Sequence, residues 1–141
     1  MRSRRDDSRS GSILTEFALV VPLFLLLCVG AVDFSRVFYA TMVLTGATRA
    51  GVEYAAQNGS NSAGITGAVT TAAGNLSGLN VSTSQFCTCS IGGAQVACSS
   101  NCSGKATYVQ VTSTVPFRTV SAWPLVPNTI TISTSGAVRV Q

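Results

Sequence analysis

Between Ile13 and Val32 the chain carries twenty residues with a single acidic or basic side chain, Glu16. At about 1.5 Å of rise per residue, such a run crosses a hydrocarbon core of roughly 30 Å as one helix. An acidic residue costs about 2.5 to 3.5 kcal/mol at the middle of a membrane and less toward the helix end, where Glu16 stands. Two readings are open: an interfacial Glu reaching back to the headgroups, or an intramembrane charge with a partner, which is the general rule.

Upstream lie Arg2, Arg4, Arg5 and Arg9, then Gly11, and Glu16 is the fifth residue after that glycine. Basic residues ahead of an apolar segment predict a cytoplasmic N-terminus and an extracytoplasmic remainder. Met1 to Ser10 is polar and lacks apolar periodicity, so it is expected to be disordered. An ordinary cleaved signal peptide has a shorter apolar run ended by small residues, whereas this run is membrane-length. The arrangement resembles the type IV prepilin signal. That resemblance implies a cut between Gly11 and Ser12 by a membrane-embedded prepilin peptidase on the cytoplasmic side, with the helix left attached. Such a cut frees an α-amino group on Ser12, charged below its reference pKa of about 8. In packed helices, Glu16 of one subunit then pairs with the amine of the next, on the order of 4 kcal/mol near 4 Å at an effective dielectric of 20. Misregistered packing strands both charges, so the pair acts as a register device.

Composition narrows the functional classes. Of the net charge of +4, half comes from the leader, where four Arg outnumber Asp6 and Asp7; what remains is no nucleic-acid footprint. There is no His for base chemistry, the acids Asp33 and Glu53 fall on a helical stretch, and no phosphate-cradling glycine loop follows a strand. The reading is therefore of a protein that is not an enzyme, needs no cofactor and binds no nucleic acid.

The apolar pattern continues past Val32. Phe34, Phe38 and Tyr39 mark the membrane exit, and Leu44, Ala47, Thr48, Gly51, Val52, Tyr54 and Ala55 keep three- and four-residue spacings up to an Asn58-Gly59 stop. One helix is expected from about Ser12 to Gln57, bent at Pro22. Gly46 and Gly51 either mark close helix packing or are tolerated breakers; Arg49 and Glu53, four apart, read as an exposed helix pair or as an intersubunit contact.

Glu16-Phe17-Ala18-Leu19-Val20-Val21-Pro22-Leu23, then Gly30, Asp33-Phe34, Arg36 and Phe38-Tyr39, then Ala47-Thr48-Arg49-Ala50-Gly51-Val52-Glu53-Tyr54-Ala55-Ala56 resemble the TadE-like family of pseudopilins from tight-adherence (Flp, type IVc) pilus systems. The resemblance covers about the first 57 residues, and Val52-Glu53 stands where the family usually has Ala-Arg. It implies a minor pilin or pseudopilin in the inner membrane or the extracellular pilus, with Glu16 and Phe17 at the intersubunit register. The implied partners are the prepilin peptidase, other pilins and pilus assembly proteins, and membrane lipid.

The expected organisation is a leader over 1–11, a long helix over 12–57, and an extracytoplasmic head over 58–141 with an α+β fold. In the head, Asn58 to Gly64 reads as a loop, and Ile65, Val69, Ala72, Ala73 and Leu76 as a second helix reaching Gly78. Leu79, Val81 and Thr83 alternate as a strand, as do Thr107 to Val115 and Thr129 to Val140, where Gly136 allows a bulge. Pro116, Pro124 and Pro127 bracket a loop with Phe117, Arg118 and Trp123, Trp123 being a contact anchor or a lid over the core.

Cys28 lies in the apolar run as a small apolar residue. Cys87, Cys89, Cys98 and Cys102 form an even set in an exported small domain, read as disulfides. Zinc is disfavoured because the C-x2-C spacing is missing, and a thiol-redox role because no C-x-x-C opens a helix. Of three connectivities the nested one, Cys87 with Cys102 and Cys89 with Cys98, suits a hairpin. The alternative function is a signal-anchored surface protein with a ligand-binding or adhesive head, suggested by four N-x-[ST] sequons at Asn58, Asn75, Asn80 and Asn101.

Overall fold

A computed structural model describes residues 7–90, 93–119 and 128–140, with side chains from Ile13 onward. Val120 to Pro127, and with them the Trp123 contact and the two later prolines, lie outside the described residues, as do Met1 to Asp6. The order is α1 (Asp7–Gln57), α2 (Ser62–Ala73), β1 (Asn80–Thr88), β2 (Gln95–Val96), β3 (Ala106–Arg118) and β4 (Thr129–Arg139). The chain divides into two units, Met1–Arg36 and Val37–Gln141.

The first unit is the N-terminal part of α1. Helix is described from Asp7, so the end of the segment read as a leader is helical where disorder was expected: no proline interrupts the backbone ladder there, and adding a residue to a formed helix is far easier than nucleating one. Pro22 lies inside the helix.

The second unit is an antiparallel sheet of order β2-β1-β3-β4 with α2 and the C-terminal part of α1 on one face. Strand parity chooses that face. Val109, Val111, Ser113, Val115 and Phe117 of β3 alternate inward, opposite Ile132 and its even-numbered neighbours on β4. One core cluster joins Ala47 and Ala55 of α1 to Ile65, Val69 and Ala73 of α2 and to Val109 and Val111; a second joins Ala40 and Leu44 to Val115, Phe117 and Ile132. Leu44, Ile65, Val69, Val109 and Val111 are fully buried, each contributing about 1.5 to 3 kcal/mol relative to exposure.

Four local expectations change. Helix α2 starts earlier than Ile65, because the Asn61 side chain accepts a hydrogen bond from the Gly64 N–H at 2.9 Å and caps it. It also ends earlier, at Gly74, whose φ of 60° stops the ladder, so Leu76 reaches the core from the connection instead.

Pro116 and Phe117 belong to β3 and not to a loop. Thr119 donates to Asn128 and Val140 donates to Thr107, so odd-numbered residues of β3 face β4 with their backbone. Pro116 therefore turns its missing N–H to the other side, past the last β1 pair at Asn80–Thr114.

The β3–β4 register runs without interruption through Val111–Gly136, so Gly136 forms no bulge. A Cβ there would meet Val52 Cγ2 at 2.9 Å; glycine lets the strand approach the helix. Gly51 is likewise a close-packing position, for its Cβ would overlap Val69 Cγ2. Gly46 meets nothing within 4 Å and is a tolerated breaker.

Candidate functional site

Glu16 and Phe17 stand on the apolar part of α1. Nothing inside the first unit covers this segment. Its large side chains between Ile13 and Val32 are exposed, from Val29 at 41% to Leu19 at 78%, with Val21 alone half-buried, unlike the core helix of a water-soluble fold. The helix is long and apolar enough to cross a membrane, and such an unburied surface is what lipid or packed neighbouring helices would cover.

Ser12 and Glu16 are four residues apart in continuous helix, hence on one face. Glu16 is exposed and has no ion-pair partner among the described residues. Phe17 is 66% exposed, and Cys28 is free and exposed. At the far end of this unit Asp33 is buried, and its Oδ1 lies 3.5 Å from Arg36 Nη1. Ser35 Oγ donates to the Val32 carbonyl at 2.8 Å. Thus the acid inside the apolar run is left open while the acid at its exit is paired.

In the second unit the hydroxyls of α1 are satisfied by its own backbone. Thr41, Thr45 and Thr48 donate to the carbonyls of Val37, Thr41 and Leu44 at 2.8, 2.7 and 2.8 Å. Such bonds let Thr48 be 2% exposed beneath the sheet without an orphaned donor.

The four head cysteines pair as Cys87–Cys98 and Cys89–Cys102. This crossed connectivity replaces the nested one. Cys87 lies opposite Val96, and in that register Cys98 falls diagonal to Cys87, not level with Cys89. A turn with Ser100 N–H bonded to the Ala97 carbonyl then returns the chain toward Cys89. Lys105 Nζ, which donates to the Cys98 carbonyl at 2.6 Å, fixes the base of the loop. Among the described residues no cluster of His, Cys, Asp or Glu suits a metal.

Sequence reasoning missed one feature of the head. A cleft of about 430 Å³ runs between α1 and β4, lined by Thr45, Thr48, Arg49, Val52 and Glu53 on the helix and Thr134 to Ala137 on the strand. Arg49 and Glu53 form no ion pair with each other. The helical spacing places them on one face, but only the strand makes that face the wall of a cleft.

Residues 11–53 match the model of the family described as TadE-like protein. The matched segment takes in Glu16 to Leu23, Gly30 to Tyr39 and Ala47 to Glu53, where it ends. No curated protein and no solved structure gives a significant match to the chain.

Proposed function

We propose, for a chain that is TadE-like over residues 11–53, that it is a minor pilin or pseudopilin which acts by packing and not by chemistry. The TadE-like segment ties it to Tad pilus systems, a structural and not a catalytic setting. In this reading the prepilin peptidase cuts between Gly11 and Ser12 on the cytoplasmic side. The apolar part of α1 holds the processed chain in the inner membrane, and residues 58–141 stand outside. On joining an assembly, Glu16 meets the Ser12 amine of a neighbouring subunit.

The observation that carries this reading is the open carboxylate of Glu16 on an apolar helical surface that nothing in its own unit covers, one helical turn from Ser12. A buried, unpaired carboxylate is costly, so packing in an apolar assembly favours a cation supplied by a neighbouring helix. The new amino terminus is the cation that cleavage creates at that position.

Intact mass and N-terminal sequencing of the protein recovered from its native membrane or shed fraction test this. A chain beginning at Ser12 supports it. A chain that keeps Arg2 to Gly11 would replace it with a signal-anchored surface protein, and a start beyond Val32 with a secreted one.

A further inference from the structure

The two edges of the sheet are treated differently. One edge is β2, two residues long and next to β1, whose Cys87, with Cys89 just past its end, is bridged to the loop after β2. The other is β4, eleven residues long with an unbroken register. Native proteins blunt an exposed edge with bulges, prolines, inward charges or short strands. From Thr129 to Val138, β4 has none of these.

Its backbone polarity follows from two hydrogen bonds. Val140 N–H donates to Thr107, and the Asn128 carbonyl accepts from Thr119, so even-numbered residues of β4 face β3. Thr131, Ser133, Ser135 and Ala137 therefore turn both N–H and C=O outward, and among the described residues no strand pairs with that edge.

The cleft lies along the same stretch. Helix and strand run in the same direction there. Leu44 shares a core cluster with Ile132, Gly136 abuts Val52 and Thr48, and Gly59 abuts Val140. Arg49 and Glu53, both exposed, are about 6 Å apart along the helix axis, close to the roughly 6.7 Å between residues two apart on a strand.

We infer that the β4 edge takes an extended segment of a different polypeptide, added to the sheet as a fifth strand. Its backbone pairs with Thr131 to Ala137. Where it faces the helix it carries small or apolar residues beside Val52 and two oppositely charged residues two positions apart, an acid toward Arg49 and a base toward Glu53. Main-chain pairing supplies affinity and the alternate side chains supply specificity, as in strand addition generally. The inference does not depend on cleavage after Gly11.

A photoreactive benzoylphenylalanine placed at Ser135 in the full chain, expressed in its native cells, tests it. A second placement at Ser84, on β1, is the control. Mass spectrometry of the adduct should find one extended segment of another polypeptide at 135 and not at 84. The yield should fall about tenfold with Ser133→Pro, which removes an outward N–H and sets a ring against the incoming strand without touching the β3 ladder. It should fall a few-fold with Arg49→Glu, an exposed helix position whose change leaves folding intact. Thermal melting of both variants separates lost binding from lost folding. The inference is overturned by no adduct at 135, by an adduct to lipid or to a second copy of this chain, or by a yield that neither folded variant changes.

Discussion

Replacing Gly51 with Ala sets two known effects against each other. In a helix interior, Gly to Ala gains about 1 kcal/mol of propensity. Gly51 is buried, however, and its new Cβ would overlap Val69 Cγ2 on α2, with Val111 Cγ1 at 3.4 Å and Ile65 Cγ2 at 3.6 Å closing the other sides. Val69 is β-branched and fully buried, so it cannot swing away, and α2 must shift instead. Overpacking of that kind costs about 1 to 3 kcal/mol. The expected net is a loss of about 1 kcal/mol, or roughly 4 to 8 °C in the melting midpoint of a unit this size.

Gly46→Ala is the control. Nothing lies within 4 Å of its Cβ, so the same substitution one and a half turns away should raise stability by about 0.5 to 1 kcal/mol. Thermal denaturation of the detergent-solubilised full chain, followed by circular dichroism, reads both. Adding Val69→Ala to Gly51→Ala should remove the clash, giving a double variant more stable than the sum of the single changes by about 1 kcal/mol. If Gly51→Ala stabilises as much as Gly46→Ala, or if the double variant is merely additive, α2 does not pack on α1 at this position and the argument fails.

Ser113 is fully buried and its Oγ has no hydrogen-bond partner; Ser113→Ala should raise stability by about 1 kcal/mol, and a loss in urea titration would mean the hydroxyl is satisfied. Partial reduction and alkylation with peptide mapping should recover Cys87 with Cys98 and Cys89 with Cys102, and replacing either pair by Ser should cost about 3 kcal/mol, given loops of 11 and 13 residues; a Cys87–Cys102 peptide would contradict the register of β2. Glu16→Gln should leave membrane insertion unchanged and abolish incorporation into sedimentable assemblies, since a neutral amide cannot neutralise the neighbouring amine; normal incorporation would remove the register role.

Much of this protein is local information. The apolar run, the stop at Asn58-Gly59 and the alternation of Val109, Val111 and Val115 are periodicities that one residue type after another writes into the chain, and the α+β fold follows from them. So does the candidate site around Ser12 and Glu16, because four-residue spacing on a helix needs no tertiary contact to define a face. Tertiary structure decided what depends on register and on proximity between distant segments. Cys98 meets Cys87 because Val96 does. Pro116 is tolerated in β3 because β1 has already ended beside it. Gly51 and Gly46 read alike in sequence, yet one lies against Val69 and the other faces open space. The cleft of Arg49 and Glu53 exists only because Gly136, more than eighty residues further along, brings β4 against Val52. Pairing between strands fixes such positions to within one residue, and no composition or period in a single segment carries that information.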